Sequence, residues 1–134
     1  MTEPDRPLLL DSVVFILWHA DSPRLSSSAR CAMLGATQRT VYVSAATAFE
    51  IATKVRLGKL SVPAVMLNDF AYVVEADGFR VLDVNAASAI RAGQLASAHR
   101  DPFDRPIGAQ ALDIGAAVVT NDVAFSTLGV DVFW

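Results

Sequence analysis

The alternation of short apolar runs with longer capped segments is the feature that most limits the folds open to this chain. The apolar runs are three to five residues long and are typical of buried strands, and the segments between them carry helix caps. Strands that alternate with helices pair in parallel, because each crossover returns the chain to the same end of the sheet. The pattern predicts an α/β fold with a central, mostly parallel sheet of about four to five short strands and helices on both faces.

Local signals place the individual elements. The expected strands are residues 8–10, 41–43, 80–82, 116–120 and 130–134. The expected helices are residues 12–19, a helix from the serines at 26–28 to residue 34, residues 45–57 and 63–76, a helix from Asn85 to about residue 96, and one that ends near residues 113–115, followed by a short helical turn at residues 121–126.

Composition limits the domain organisation and the compartment. With 134 residues, 53% hydrophobic and 19% charged, the chain is expected to form one domain whose apolar surplus lies partly in a subunit interface. Residues 1–7 are expected to form a loose tail. A single cysteine, Cys31, permits neither an internal disulfide nor a thiolate metal site, which fits a reducing, cytoplasmic location. No membrane-spanning or export segment is expected.

Four acidic residues occupy positions that point to a common site. Asp11 and Asp122 follow expected strands, and in open parallel sheets ligands bind outside the carboxyl ends of the strands. Glu50 lies within an apolar helix, and Asp104 lies at a helix start. Carboxylates are rarely buried without a partner, so several at one edge of a sheet indicate a cation between them. Ligands that are all oxygen favour a hard cation, Mg²⁺ or Mn²⁺.

Each acid also has a purely structural interpretation. Asp11 is a suitable N-cap for the helix that follows it, and Asp122 is suited to cap the turn beneath it. Glu50 is placed to form an exposed pair with Lys54 four residues later. Asp83 also follows an expected strand, where it supports the next helix start. The sequence leaves both interpretations open for each residue, while four acids at one edge favour a site.

The sequence allows two starts for the helix that carries Asp104. If the helix begins at Pro102 with Asp101 as N-cap, Pro106 removes an intrahelical hydrogen bond and kinks the helix. If Asp104 is the N-cap, Pro106 lies harmlessly in the first turn. The two starts aim the Asp104 carboxylate in different directions.

Other kinds of site find little support. The net charge of −3 argues against a module that reads nucleic acid through a basic surface, though less against a metal-dependent nuclease. His19 and His99 have no partner at a recognisable ligand spacing, so a zinc site is not expected. The chain has neither a nucleophile elbow nor a glycine-rich phosphate loop. A receiver-like domain with Asp11 or Asp83 as phospho-acceptor lacks the paired acid and the late lysine that it needs.

Several segments, in this order, resemble the PIN-domain ribonucleases, and most closely the VapC-type toxins of bacterial toxin–antitoxin pairs. The segments are residues 8–12, 43–45 with 50–52, 57–60, 101–105 with 109–111, 120–122, and 129–130 with 133–134.

The resemblance implies a PIN-like three-layer fold over residues 1–134 and an endoribonuclease that hydrolyses RNA of the tRNA or rRNA class. It further implies a cognate antitoxin and a homodimer. Asp11, Glu50, Asp104 and Asp122 would be both the catalytic residues and the ligands of Mg²⁺ or Mn²⁺. Ser12 and Arg105 are expected to contact the substrate.

Three positions depart from the family pattern. Val13 replaces a common histidine, and Pro106 and Gly108 stand where the family usually has apolar helix formers. These departures keep a second interpretation open, a catalytically degenerate PIN-like module that only binds RNA or protein.

Overall fold

A five-stranded parallel sheet forms the centre of the computed structural model, which describes residues 5–36 and 38–134. The order across the sheet is β3-β2-β1-β4-β5, and every pair of neighbouring strands is parallel. The predicted fold class is therefore confirmed. The strands are β1 (Leu8–Leu10), β2 (Val41–Ser44), β3 (Arg80–Leu82), β4 (Ala117–Val119) and β5 (Val132–Phe133).

The expected caps begin the helices that connect these strands. The side chains of Ser26, Ser44 and Asn85 each accept a backbone N–H of the helix that follows. None of the helices in the described residues is long and apolar enough to cross a membrane. The helices are α1 (Ser12–His19), α2 (Ser27–Leu34), α3 (Ala45–Arg56), α4 (Ala64–Asn68), α5 (Phe70–Ala76), α6 (Ala86–Gln94) and α7 (Asp104–Ile114), with a 3₁₀ helix at Val123–Leu128.

The single helix expected over residues 63–76 is wrong, because the chain breaks at Asp69. This residue has φ −150° and ψ 70°, outside the helical region, and its carboxylate accepts the N–H of Tyr72 at 3.2 Å. An aspartate whose side chain bonds the nearby backbone competes with helical hydrogen bonding. It therefore ends α4 and caps α5. The strands expected at 116–120 and 130–134 are also shorter than predicted.

Strand β1 is buried on both faces, which explains why it consists of three leucines. Leu8 and Leu10 point into a core shared with α1, α2 and α5, whereas Leu9 points into a second core with α7 and the 3₁₀ helix. Successive side chains of a strand face opposite sides of the sheet, so a strand between two helical layers must be apolar throughout. Polar groups on this strand are possible only beyond its ends.

The expected loose tail is wrong for the part of it that is described. Residues 1–4 lie outside the described residues. The Arg6 guanidinium donates to the carbonyl of Gly115 at 3.0 Å and forms an ion pair with Asp131 at 2.7 Å. The carbonyl of Pro7 accepts the N–H of Ala117 at 3.1 Å. The segment before β1 is thus attached to the chain at the amino ends of β4 and β5.

Candidate active site

The register of the parallel sheet brings Asp11 beside Thr120. Leu10 pairs with Val43 on one side and Val119 on the other, so the residues that follow these strands meet at one edge. The N–H of Asp11 extends the ladder to the carbonyl of Val119 at 3.0 Å. The hydroxyl of Thr120 donates to Asp11 Oδ2 at 2.8 Å.

Asp11 is both a helix cap and a buried acid; its structural interpretation as an N-cap is confirmed, and its role as a cation ligand stays a prediction. Its Oδ1 accepts the N–H of Val13 at 3.4 Å at the start of α1, and only 5% of the residue is exposed. Burial raises the pKa of Asp11, and hydrogen bonds from Thr120 and Val13 oppose that shift. The charges of Glu50 and Asp122 raise the pKa further. Asp11 therefore lies within electrostatic reach of both acids.

Glu50 is buried on the inner face of α3, with 5% of the residue exposed. It shares this face with Ala46, Thr47 and Ile51. Phe49, next to Glu50 in the sequence, is 67% exposed and packs edge-on against Phe103. The outer face of α3 carries this exposed aromatic ring, so apolar character alone did not identify the buried face.

The expected pairing of Glu50 with Lys54 is present, although the carboxylate is not exposed. Lys54 Nζ lies 2.5 Å from Glu50 Oε2, and the hydrogen bond to Glu50 raises the pKa of Lys54. Weaker contributions to the same rise come from the charges of Asp101 and Asp104, so the ammonium faces several acids. The other oxygen, Glu50 Oε1, is buried and has no hydrogen-bond partner among the described residues. A buried carboxylate oxygen without a partner lowers the stability of the fold, and a bound ligand would supply the missing partner.

Asp104 is the first residue of α7. The observed start is closer to the expected one with Asp104 as N-cap than to the expected one at Pro102. Asp101 Oδ1 accepts the N–H groups of Phe103 and Asp104 at 2.8 and 3.1 Å, in the turn that leads into the helix. Pro106 therefore lies in the first turn, where a missing N–H costs no intrahelical hydrogen bond. The start directs the Asp104 carboxylate inward, and the residue is 8% exposed.

His99, which the sequence analysis set aside, contacts Asp104. Its Nε2 lies 2.8 Å from Asp104 Oδ2. Burial raises the pKa of Asp104 to about 7; the hydrogen bond with His99 opposes this rise, and the charges of Asp101 and Asp11 add to it. The five-residue spacing of the pair corresponds to no regular helix or strand contact. The polar stretch directly before the acid was the one signal that could have drawn attention to His99.

Asp122 differs from the other three acids because it is exposed. Its Oδ1 accepts the N–H of Ala124 at 2.9 Å and caps the 3₁₀ helix, as its structural interpretation predicted. Its own N–H donates to the hydroxyl of Thr120 at 2.9 Å. Asp122 thus lies at the rim of the cluster, tied to Asp11 through Thr120.

The two expected substrate contacts have partners within the protein. The hydroxyl of Ser12 is buried and lies 2.8 Å from the hydroxyl of Thr47 on α3. The Arg105 guanidinium donates to four backbone carbonyls. A role for either residue in binding substrate stays a prediction. Asp83 is exposed and none of the groups described above contacts its carboxylate, in keeping with its interpretation as a structural acid.

The four acids form one electrostatic cluster whose chemistry suits a hard divalent cation. In addition to burial, the charges of Glu50 and Asp122 raise the pKa of Asp11, and the charge of Asp11 raises the pKa of Asp104. In the described residues, no three His, Cys, Asp or Glu side chains are grouped closely enough to hold a metal ion in this conformation. The donor set nevertheless fits Mg²⁺ or Mn²⁺, since all donors are oxygen and Glu50 Oε1 is buried without a partner.

Close packing explains why position 108 is a glycine. A Cβ at this position would lie 2.8 Å from Leu128 Cδ1 and 3.3 Å from Leu128 Cβ, because α7 packs closely against the 3₁₀ helix. Together with the placement of Pro106 in the first turn, this gives two of the three departures from the family pattern a structural cause. Neither one disturbs the acids.

Comparison with known proteins gives one family and several similar folds. The PIN domain family matches residues 8–130. VapBC2 from Rickettsia felis, bound to a DNA fragment from their promoter, is 15% identical with a TM-score of 0.67, covering 95% of this chain and 97% of that one. FitAcB from Neisseria gonorrhoeae is 23% identical with a TM-score of 0.59, covering 95% and 96%.

FitAB bound to an IR36 DNA fragment is 20% identical with a TM-score of 0.63, covering 94% of this chain and 93% of that one. At these identities the structures share the fold with this chain. No curated protein matches the sequence significantly.

Proposed function

Because this chain belongs to the PIN domain family, we propose that it is a Mg²⁺- or Mn²⁺-dependent endoribonuclease and the toxin of a toxin–antitoxin pair. The observation that carries the proposal is the burial of three carboxylates, Asp11, Glu50 and Asp104, together with Glu50 Oε1, which has no hydrogen-bond partner among the described residues. Burial raises the pKa of Asp11, and the charges of Glu50 and Asp122 add to the rise, which is unfavourable for the fold alone. A site that binds a cation gives this arrangement a purpose.

The four acids would hold the ion in this proposal, with Asp122 at the exposed rim. When bound, the ion supplies a water of lowered pKa and neutralises charge on the scissile phosphate. The residues around the acids orient them: Thr120 donates to Asp11, and His99 contacts Asp104. Burial keeps bulk water away from these contacts, which strengthens them. By resemblance to the family, the products would carry a 5′-phosphate and a 3′-hydroxyl.

We also propose an antitoxin as partner and a homodimer as the assembly. VapBC2 and FitAB are complexes bound to DNA, and this chain shares their fold. Large apolar side chains are exposed on several helices and are suited to protein contacts. They include Leu34, Phe49, Tyr72, Ile90 and Val123. Light scattering after size-exclusion chromatography would measure the assembly of the isolated chain, and a monomer at micromolar concentration would contradict the dimer.

The test of the proposed activity is a cleavage assay on total tRNA and rRNA, with Mg²⁺ or Mn²⁺ and with EDTA. Asp11→Asn is expected to lower the cleavage rate by orders of magnitude without unfolding the protein. Asp83→Asn is the matched control, because Asp83 follows β3 as Asp11 follows β1 but is exposed. Metal-dependent fragments that persist in Asp83→Asn and vanish in Asp11→Asn are the expected result. Equal cleavage by both variants would remove Asp11 from the mechanism.

A degenerate binding module is the second candidate, and one observation favours it. Glu50 and Asp104 already have cationic or hydrogen-bonding partners in Lys54 and His99, so the acids are partly satisfied without an ion. A thermal melt with and without Mn²⁺ separates the two candidates. A nuclease site gains stability from the cation, whereas a degenerate module gains none.

A further inference from the structure

We infer that His99 is a positioning residue for Asp104, and that Arg105 holds His99 in place through the backbone of residues 92–99. The inference rests on the proposed function, since it assigns Asp104 to the cation site. It concerns two residues outside the four acids. Hydrogen bonds from Arg105 join α7 to the end of α6 and to the loop between the two helices.

Arg105 fixes the loop from within the helix that carries Asp104. Its Nε donates to the carbonyl of Ala92 at 2.8 Å, and its Nη2 donates to the carbonyl of Leu95 at 2.6 Å. Its Nη1 donates to the carbonyls of Ser97 and His99 at 3.2 and 2.7 Å. A guanidinium presents its N–H groups in a rigid planar fork, so these bonds define the path of the loop. Asp104 and Arg105 are adjacent residues in the first turn of α7.

The backbone N–H and the ring of His99 each have a further contact. The hydroxyl of Ser97 accepts the N–H of His99 at 3.1 Å and lies 3.0 Å from the hydroxyl of Thr127 on the 3₁₀ helix. The ring packs against Phe125 with 6.0 Å between centroids. Contacts of its backbone and of its ring therefore fix His99, in addition to its contact with Asp104.

The contact of His99 with Asp104 uses one carboxylate oxygen, Oδ2. A hydrogen bond to one oxygen of a ligating carboxylate sets the direction in which the group presents itself to a cation. Outer-shell partners of this kind typically contribute about 10–100-fold to metal affinity. Arg105 donates to one carbonyl of α6 and to three carbonyls of the loop that follows, which is more than a surface connection requires, and positioning Asp104 gives these hydrogen bonds a function.

The experiment measures Mn²⁺ affinity of the purified full chain by calorimetry for three histidine variants. His99→Gln places an amide nitrogen where Nε2 lies, whereas His99→Asn reaches only as far as Nδ1. His19→Gln is the control, because His19 Nε2 also lies close to a carboxylate, 2.9 Å from Asp77 Oδ2, at the opposite end of α1 from Asp11. We expect His99→Asn to weaken Mn²⁺ binding about 10-fold or more, His99→Gln to stay within a few-fold of wild type, and His19→Gln to leave it unchanged.

A double variant tests the role of Arg105. Arg105→Lys keeps the charge but loses the fork, and it is expected to weaken Mn²⁺ binding. Because Arg105 acts through His99, Arg105→Lys combined with His99→Asn should bind Mn²⁺ no more weakly than His99→Asn alone. Additive losses would overturn the link between the two residues.

The possible outcomes separate this inference from the proposed function. If wild type binds Mn²⁺ and His99→Asn and His99→Gln bind it equally well, His99 does not position Asp104. If both variants lose affinity equally, the ring contributes packing and not a hydrogen bond, and the inference is again overturned. Wild type without Mn²⁺ affinity would overturn the inference and the proposed function together. Thermal melts in EDTA establish that each variant is folded.

Discussion

Thr120 donates its hydroxyl proton to Asp11 across the carboxyl ends of β4 and β1, with 2.8 Å between Oγ1 and Oδ2. The same hydroxyl accepts the N–H of Asp122 at 2.9 Å. One buried threonine therefore connects the buried Asp11 to the exposed Asp122. Both contacts follow from the parallel register, which aligns the last residues of the two strands.

Replacing Thr120 with valine is expected to destabilise the protein by about 1–3 kcal/mol, because Asp11 then lacks its side-chain donor while remaining buried. The pKa of Asp11 should rise further, since this hydrogen bond lowers it. Urea unfolding at neutral pH in EDTA measures the loss. Thr120→Ser keeps the hydroxyl and should recover most of the stability. A loss of the same size in Thr120→Ser would assign the effect to the methyl group.

The stability of the metal-free protein should fall as the pH rises from about 4 to about 7. The pKa of Asp104 is raised from 3.8 to about 7, so in this range the folded protein holds a proton that the unfolded chain has released. A raised carboxyl pKa therefore contributes stability below the unfolded value and loses it as the pH increases. The raised pKa of Asp11 acts in the same direction.

Urea midpoints measured in EDTA across this range provide the test. Asp104→Asn removes the titrating group and should flatten the profile, whereas Asp83→Asn should leave it unchanged. Protons and metal compete for the same oxygens, so Mn²⁺ affinity should increase over the same range. A wild-type profile that rises with pH would contradict the assignment of the titration to Asp104.

Lys54→Met is expected to cost about 1–2 kcal/mol in EDTA, because it leaves the buried Glu50 carboxylate without its ion pair. The estimate is at the low end for a buried pair because 37% of the Lys54 side chain is exposed. Saturating Mn²⁺ should stabilise this variant more than wild type, since the ammonium no longer competes for Glu50. Lys59→Met, at an exposed lysine beyond the same helix, is the control. Equal gains from Mn²⁺ in both variants would show that Lys54 does not compete with the cation.

Gly108→Ala should destabilise the protein by about 1–2 kcal/mol, although alanine is the better helix former. The added Cβ would lie 2.8 Å from Leu128 Cδ1 and 3.3 Å from Leu128 Cβ, so the Leu128 side chain would have to shift. Gly93→Ala on α6 is the matched control, because nothing lies within 4 Å of its added Cβ. This second variant should be neutral or more stable by up to about 1 kcal/mol. Thermal melts of the two variants give opposite shifts if packing at Leu128 is the cause.

Local signals were sufficient wherever a single segment determines the outcome. Ser26, Ser44 and Asn85 cap their helices as expected, because a cap depends on residues two or three positions away. Asp69 shows the limit of such signals. Its carboxylate accepts a backbone N–H and divides one expected helix into two. An aspartate within a helical stretch does not by itself predict that the helix breaks there.

The sequence by itself determined the parallel α/β fold, because short apolar runs alternate with capped helical segments, and the three leucines of β1 are buried on both faces. It also predicted that Asp11 and Asp122 lie at the carboxyl edge, since Asp11 directly follows β1 and Asp122 comes three residues after β4. Only the tertiary structure decided which partner each acid has. Thr120 reaches Asp11 over 109 positions, and His99 reaches Asp104 through a loop that Arg105 holds. These contacts depend on strand register and loop path, which are set by packing of the whole chain and leave no periodic trace in the sequence.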